Sequence, residues 1–264
     1  MTLKTITNRI YSDFFLKSRL EEYEQLIQYA IENNYKVISI NQFYNIIKSG
    51  QLKSNKYLVL RHDIDTDINT ANIMFNIEKK LGAFSTFYFR LSTIDVDLMK
   101  EIDKYGSEAS YHYEEIATYA KKNHIKDEKE IFNNIVVIRE QFKENLYNLR
   151  NETGLAMETV ASHGDFVNRF LKVYNYEILK DQKFRRICNI SLEAYDDLMM
   201  KQVESRHCDR PYPLFWDGES PQKAIEEEKQ IIYILTHPRH WKSNVKENLK
   251  DNLLRIKEGI LYTI

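Results

Sequence analysis

Short apolar runs that stop abruptly at a polar residue recur along this chain, with helical patterns between them. Tyr57-Leu58-Val59-Leu60 runs into Arg61-His62-Asp63-Ile64-Asp65, and residues 85–89 run into Arg90. In the same way 108–111 lead to His112, 159–162 to His163, and 230–235 to Thr236 and His237. Runs of this length, rich in β-branched and aromatic types, read as buried strands, and 35–40 and 186–190 read as two more. Between them, 20–33, 42–48, 68–81, 95–105, 127–151, the segment opened by Ser220-Pro221, and 244–258 carry apolar residues at helical spacing. Residues 192–216 show neither period, and Asp209-Arg210-Pro211-Tyr212-Pro213 within them favours an irregular loop.

Strand and helix in alternation imply an α/β fold: a mostly parallel sheet with helices outside it, doubly wound or closed as a barrel. The polar residues decide between the two. Asp63/Asp65, Arg90, His112, His163 and His237 each sit just past the C-terminal end of a run, the rim on which barrel active sites assemble. A distorted (β/α) barrel is therefore expected, as a single domain over 1–264, with 1–55 a helix/strand extension packed on it.

The 38 basic residues nearly balance 39 acidic ones, and a formal charge of −1 argues against a nucleic-acid partner. No apolar run approaches the roughly 18 residues of a membrane span. Two cysteines are too few for a disulfide framework, and the first residues lack the apolar core of a signal peptide, so a cytoplasmic protein is expected.

In an extended strand residues two apart share a side, which puts Arg61, Asp63 and Asp65 together and His62 opposite. Paired carboxylates at the end of a buried strand have one pKa raised unless a cation neutralises them, and the cations at hand are a bound metal and Arg61. The competing account is helix capping, since Asp65, Thr66, Asp67 and Asn69 all suit the start of the helix that follows. Open metal sites of one carboxylate and two imidazoles bind and acidify water, which is hydrolytic chemistry.

At these residues the chain resembles the polysaccharide deacetylases, the NodB-homology group or carbohydrate esterase family four. The family's paired-Asp motif is matched by Arg61-His62-Asp63-Ile64-Asp65, its second motif by 108–114 with His112, and its late strand-then-His motif by 232–237. The aromatic strand 85–89 is also similar, and the likeness runs from about Tyr57 to about His240. The resemblance implies a barrel holding one divalent metal, with zinc the expected identity, that removes an N- or O-acetyl group from a sugar in surface-polysaccharide synthesis. The substrate would be linked to a nucleotide, a lipid or an oligosaccharide.

Carried over, Asp63 is the general base, Asp65 and His112 are metal ligands, and His237 is the general acid. The family has a second His four positions after the first, where this chain has Ile116. His163 is the first substitute and Glu114 the second. The family's Arg-containing motif is not recognisable around Asp165, which leaves Arg61 or Arg90 to orient Asp63, with Asp165 and Trp216 as further base-orienting or substrate-binding residues. Tyr212, Phe215, Trp216 and Trp241 are aromatic candidates for stacking on sugar rings. Two other functions fit parts of the pattern: an inactive deacetylase-like sugar-binding protein, and a metal-free barrel glycosidase whose two carboxylates would come from different strands.

Overall fold

In the computed structural model, which describes residues 3–52 and 55–263, two helices, α1 (Leu3–Phe14) and α2 (Leu20–Glu32), precede β1 (Tyr35–Ile38), α3 (Ile40–Lys48) and β2 (Lys56–Ile64). Next come α4 (Ile68–Leu81), β3 (Thr86–Phe89), α5 (Val96–Tyr105), β4 (Glu108–Tyr113), α6 (Glu115–Lys122), α7 (Glu128–Asn133), α8 (Ile135–Thr153) and β5 (Thr159–Ser162). The chain continues through α9 (Phe166–Leu171), α10 (Gln182–Ile187), β6 (Leu192–Glu193), α11 (Asp197–Met200), β7 (Ser205–Cys208), α12 (Pro221–Glu226), β8 (Ile231–Thr236) and α13 (Val245–Thr263).

Local chemistry sets these boundaries. Ser39 and Gln42 form a reciprocal capping box that starts α3 at Ile40, two residues before its apolar pattern suggests. Gly82 ends α4 at φ 70, and Gly106 ends α5 at φ 102, where the left-handed backbone suits glycine alone and a Cβ would lie 3.3 Å from the Phe84 ring.

Every strand pairing is parallel, in the order β6-β5-β4-β3-β2-β8-β7. β1 joins the same edge of β2 as β3 but lower down, Tyr35–Ile38 lying opposite Lys56–Val59 and Thr86–Phe89 opposite Arg61–Ile64. The ends of this path approach each other, for the Arg206 guanidinium of β7 lies 5.4 Å from the Tyr195 ring just past β6. The sheet is thus curled into the expected distorted (β/α) barrel, with no strand pairing across that seam among the described residues.

Alternation along the strands sorts the core. Val59, Tyr88, Ala161, Leu192, Tyr233 and Leu235 fill the interior. Leu58, Leu60, Ile232 and Ile234 pack outward in one cluster with Tyr23, Leu26 and Ile27 of α2, while Tyr111 and Tyr113 meet Phe142 of α8. Each such side chain, fully buried, contributes about 1.5–3 kcal/mol. Among the described residues no helix is long and apolar enough to cross a membrane.

Some elements differ from the sequence reading. Residues 186–190 are not a strand but the end of α10 and the turn after it, because the Asp181 carboxylate caps that helix at Lys183 and Phe184; the strand on β5 is Leu192–Glu193. The 127–151 pattern is two helices that break at Asn134, whose side chain bonds back to the Glu130 carbonyl. α1 has no counterpart in that reading, and β7 lies in the unassigned stretch because Ser205-Arg206-His207-Cys208 contains no aliphatic residue.

Candidate metal centre

Asp67, not Asp63 or Asp65, caps α4: its Oδ1 accepts the Thr70 N–H at 3.2 Å. That leaves the other two carboxylates at the barrel rim. At the end of β4, His112 Nδ1 donates to the Ala161 carbonyl at 2.9 Å, because a carbonyl can only accept. Its Nε2 therefore faces β2, 3.4 Å from Asp63 Oδ2 and 3.5 Å from Asp65 Oδ1. His163, one residue past β5, is turned likewise by Glu114, whose Oε2 accepts from Nδ1 at 3.0 Å, and its Nε2 lies 3.4 Å from Asp65 Oδ1.

These separations exceed the roughly 2.7–2.9 Å of a charge-assisted hydrogen bond, and Asp65 Oδ1 is buried with no hydrogen-bond partner. Two ligand atoms bound at about 2.0–2.1 Å to one tetrahedral cation lie about 3.4 Å apart. The donor atoms of Asp65, His112 and His163 all fall within 4.8 Å of one another, so one oxygen and two nitrogens have the spacing of an open cation site. Before any cation binds, burial pushes His112 down to about 4, while His163, despite its burial, is drawn up to about 9 by Asp65 and Glu114.

Glu114 stands behind this set. Its oxygens take the Arg90 guanidinium at 2.8 and 2.9 Å, and although burial pushes it up, His163 and Arg90 hold it at about 2. Arg90 is thus engaged with Glu114, and the group that reaches Asp63 is Arg61: Nε donates to Oδ1 at 2.6 Å and Nη2 to Oδ2 at 2.8 Å. Arg61 is itself fixed between the Tyr88 and Tyr195 rings and by the Tyr233 hydroxyl at 3.1 Å. Burial favours a neutral Asp63, but Arg61, aided by His112 and His237, holds it below the usual carboxylate range. Asp65 is lowered further, burial being outweighed by the nearby histidines, so neither carboxylate of the pair is raised.

His237 follows β8 on the facing side. Its backbone N–H donates to Asp209 Oδ2 at 2.8 Å and its Nδ1 to Oδ1 at 2.7 Å, and Nε2 makes no hydrogen bond among the described residues. Burial disfavours its charge, yet Asp209 raises it to about 9. A cavity of about 490 Å³ is lined by Asp63, Asp65, His112, His163 and His237 together.

The other sequence candidates have structural partners. Asp165 caps α9 and pairs with Lys121, although a carboxylate oxygen of it lies within 4.8 Å of ligand atoms of Glu114 and His163. Trp216 is buried with its ring 5.8 Å from that of Trp241, Phe215 lies under Arg19, and Tyr212 packs on Tyr11. Asp209, which also accepts the Trp241 indole N–H at 3.0 Å, is absent from the sequence candidates because it ends the strand that has no apolar signature.

No family model matches the chain, and no curated protein matches it in sequence. Solved structures of similar shape include a Streptococcus pyogenes deacetylase, PplD, in complex with acetate, with 15% identity and a TM-score of 0.46 over 72% of this chain and 75% of that one. BA3943, a CE4 family pseudoenzyme from Bacillus anthracis, gives 15% and 0.40 over 77% of this chain and 61% of its own. The Xyl-CE4 domain of a multidomain xylanase from the hindgut metagenome of Trinervitermes trinervoides gives 13% and 0.37 over 78% and 83%. At these values the likeness is one of overall shape alone.

Proposed function

We propose that this protein is a metal-dependent carbohydrate deacetylase, a divergent member of the group its motifs resemble. The observation that carries this reading is the buried, unpartnered Asp65 Oδ1 with the Nε2 atoms of His112 and His163 each 3.4–3.5 Å from it. Asp65, His112 and His163 would hold a divalent cation, zinc suiting two nitrogens and one oxygen, which would supply a Lewis acid for the acetyl oxygen and for water.

The chain's own residues divide the remaining work. Asp63, kept ionised by Arg61, takes the proton of the attacking water. The Arg61 fork holds its two oxygens in one plane, so the base is oriented as well as charged. His237, protonated through its bond to Asp209, gives its Nε2 proton to the nitrogen or oxygen that leaves the acetyl carbon. Glu114 and Arg90 keep the His163 ring turned toward Asp65. The substrate in this reading is an acetylated sugar of surface-polysaccharide synthesis.

Two measurements test it together: metal content of the purified protein, and acetate release from acetylated sugars. About one tightly bound divalent ion per chain with acetate release is expected, and its loss in Asp65→Asn follows from the ligand assignment. A protein that binds no metal under any condition would overturn the proposal.

A further inference from the structure

The wall of the cavity above Asp63 and Asp65 carries a cation that nothing in the deacetylase chemistry uses. Arg206 occupies an interior-facing position of β7 opposite Tyr233, where a barrel strand ordinarily places a core side chain. Its guanidinium lies 5.4 Å from the Tyr195 ring and 6.0 Å from the Tyr233 ring, yet the residue is exposed. The other arginine lining this cavity, Arg210, is neutralised by Asp217 at 2.5 Å, and Arg61, behind Tyr195, is neutralised by Asp63. Among the described residues Arg206 has no carboxylate within ion-pair distance.

A solvated surface arginine would have its long chain free. Contact with two aromatic rings instead restricts this guanidinium, and none of its side-chain N–H donors bonds another of the described residues. That fork matches two coplanar oxygens of one anion, and a cavity of about 490 Å³ has room for a monosaccharide that bears one. We propose that Arg206 is a subsite for an anionic group on the substrate, so that the sugar accepted here carries a phosphate or a carboxylate besides its acetyl group. The acetyl part of this statement rests on the deacetylase reading; the anion part does not.

The test is calorimetric titration of the metal-loaded protein and of Arg206→Gln with three compounds: an N-acetylhexosamine 1-phosphate, an N-acetylated aminohexuronic acid and an uncharged N-acetylhexosamine dimer. Because Arg206 is exposed, the substitution leaves the core intact. One of the two anionic sugars is expected to bind at least about tenfold more tightly than the dimer, the scale of one charge-assisted hydrogen bond, and Arg206→Gln to abolish that preference without weakening the dimer. Which anion shows it identifies phosphate or carboxylate. Equal affinity for charged and uncharged sugars in the unaltered protein, or equal weakening of all three in the variant, would overturn the subsite. Acetate release followed in parallel separates the two claims. An Arg206-dependent preference without acetate from any compound sinks the deacetylase reading and leaves the subsite, whereas acetate release without a preference does the reverse.

Discussion

Strand β2 carries two buried clusters of histidine and carboxylate on opposite faces, and they differ in how their polar atoms are satisfied. On the outer face His62 Nε2 meets Glu78 Oε1 at 2.8 Å and Nδ1 meets the Thr236 hydroxyl at 2.6 Å, while Tyr23 and Ser85 donate to the same carboxylate. His62, Glu78, Ser85, Thr236 and Tyr23 are fully buried, and the cluster is closed. On the inner face Arg61 satisfies Asp63, but Asp65 Oδ1 has two imidazole nitrogens at 3.4–3.5 Å, no hydrogen bond, and a cavity beside it. Buried polar groups are normally paired, so the closed cluster is complete in itself, whereas the open one leaves an acceptor unfilled beside a cavity. The comparison teaches that residue type does not separate a core network from a site; the unfilled position does.

The largest expected effect comes from the inner face. Asp63→Asn and His237→Ala should each lower kcat by about 10²–10⁴-fold with metal content little changed. Loss of metal in His237→Ala would make that histidine a ligand and redraw the site. Glu78→Ala should do the opposite, costing about 3–5 kcal/mol of stability because it strands a buried partner, while activity per folded molecule is kept. Denaturant unfolding alongside turnover reads both numbers, and a loss of activity per folded molecule in Glu78→Ala would break the comparison.

A smaller effect is expected behind the metal ligands. Glu114→Ala should weaken metal binding by about 10–100-fold, since His163 loses the acceptor that turns its ring. Competition with a chelator measures it, and unchanged affinity would detach Glu114 from the centre. The finest test is pH. His237 acts as an acid only while protonated, so kcat should fall as pH rises through about 9, and in Asp209→Asn the fall should move down toward the ordinary value of 6.5. The same shift has a stability sign: a raised folded pKa means that the His237–Asp209 pair stabilises fully below pH 6.5 and loses that contribution as pH climbs through about 9. An Asp209→Asn profile with its limb still near 9 would show that another group sets it.

Much of the inner face was legible because each residue follows a strong strand signal. Asp63, Asp65, His112, His163 and His237 all come just after apolar or aromatic runs, and parallel strands deliver their C-terminal ends to one rim. The outer cluster was not legible, because His62 sits in the same motif as Asp63 and its partner Glu78 lies on α4, sixteen residues on and one of many acidic residues. β7 and Asp209 were hidden for a different reason. Arg206, His207 and Cys208 hold a strand by pairing with β8 and not by any apolar pattern of their own.

The sequence by itself determined the alternation of strand and helix, the polar rim, and the side of β2 on which Asp63 lies, since these follow from the two periods of the backbone and need only neighbouring residues. Tertiary structure alone decided which carboxylate meets which cation. Glu114 takes Arg90, Asp63 takes Arg61, Asp209 takes His237, and Asp65 Oδ1 is left over. Those pairings join residues from 2 to 28 positions apart in the chain. Charge attraction has no preferred sequence separation, and only the register of strands and the burial around each group select the partner.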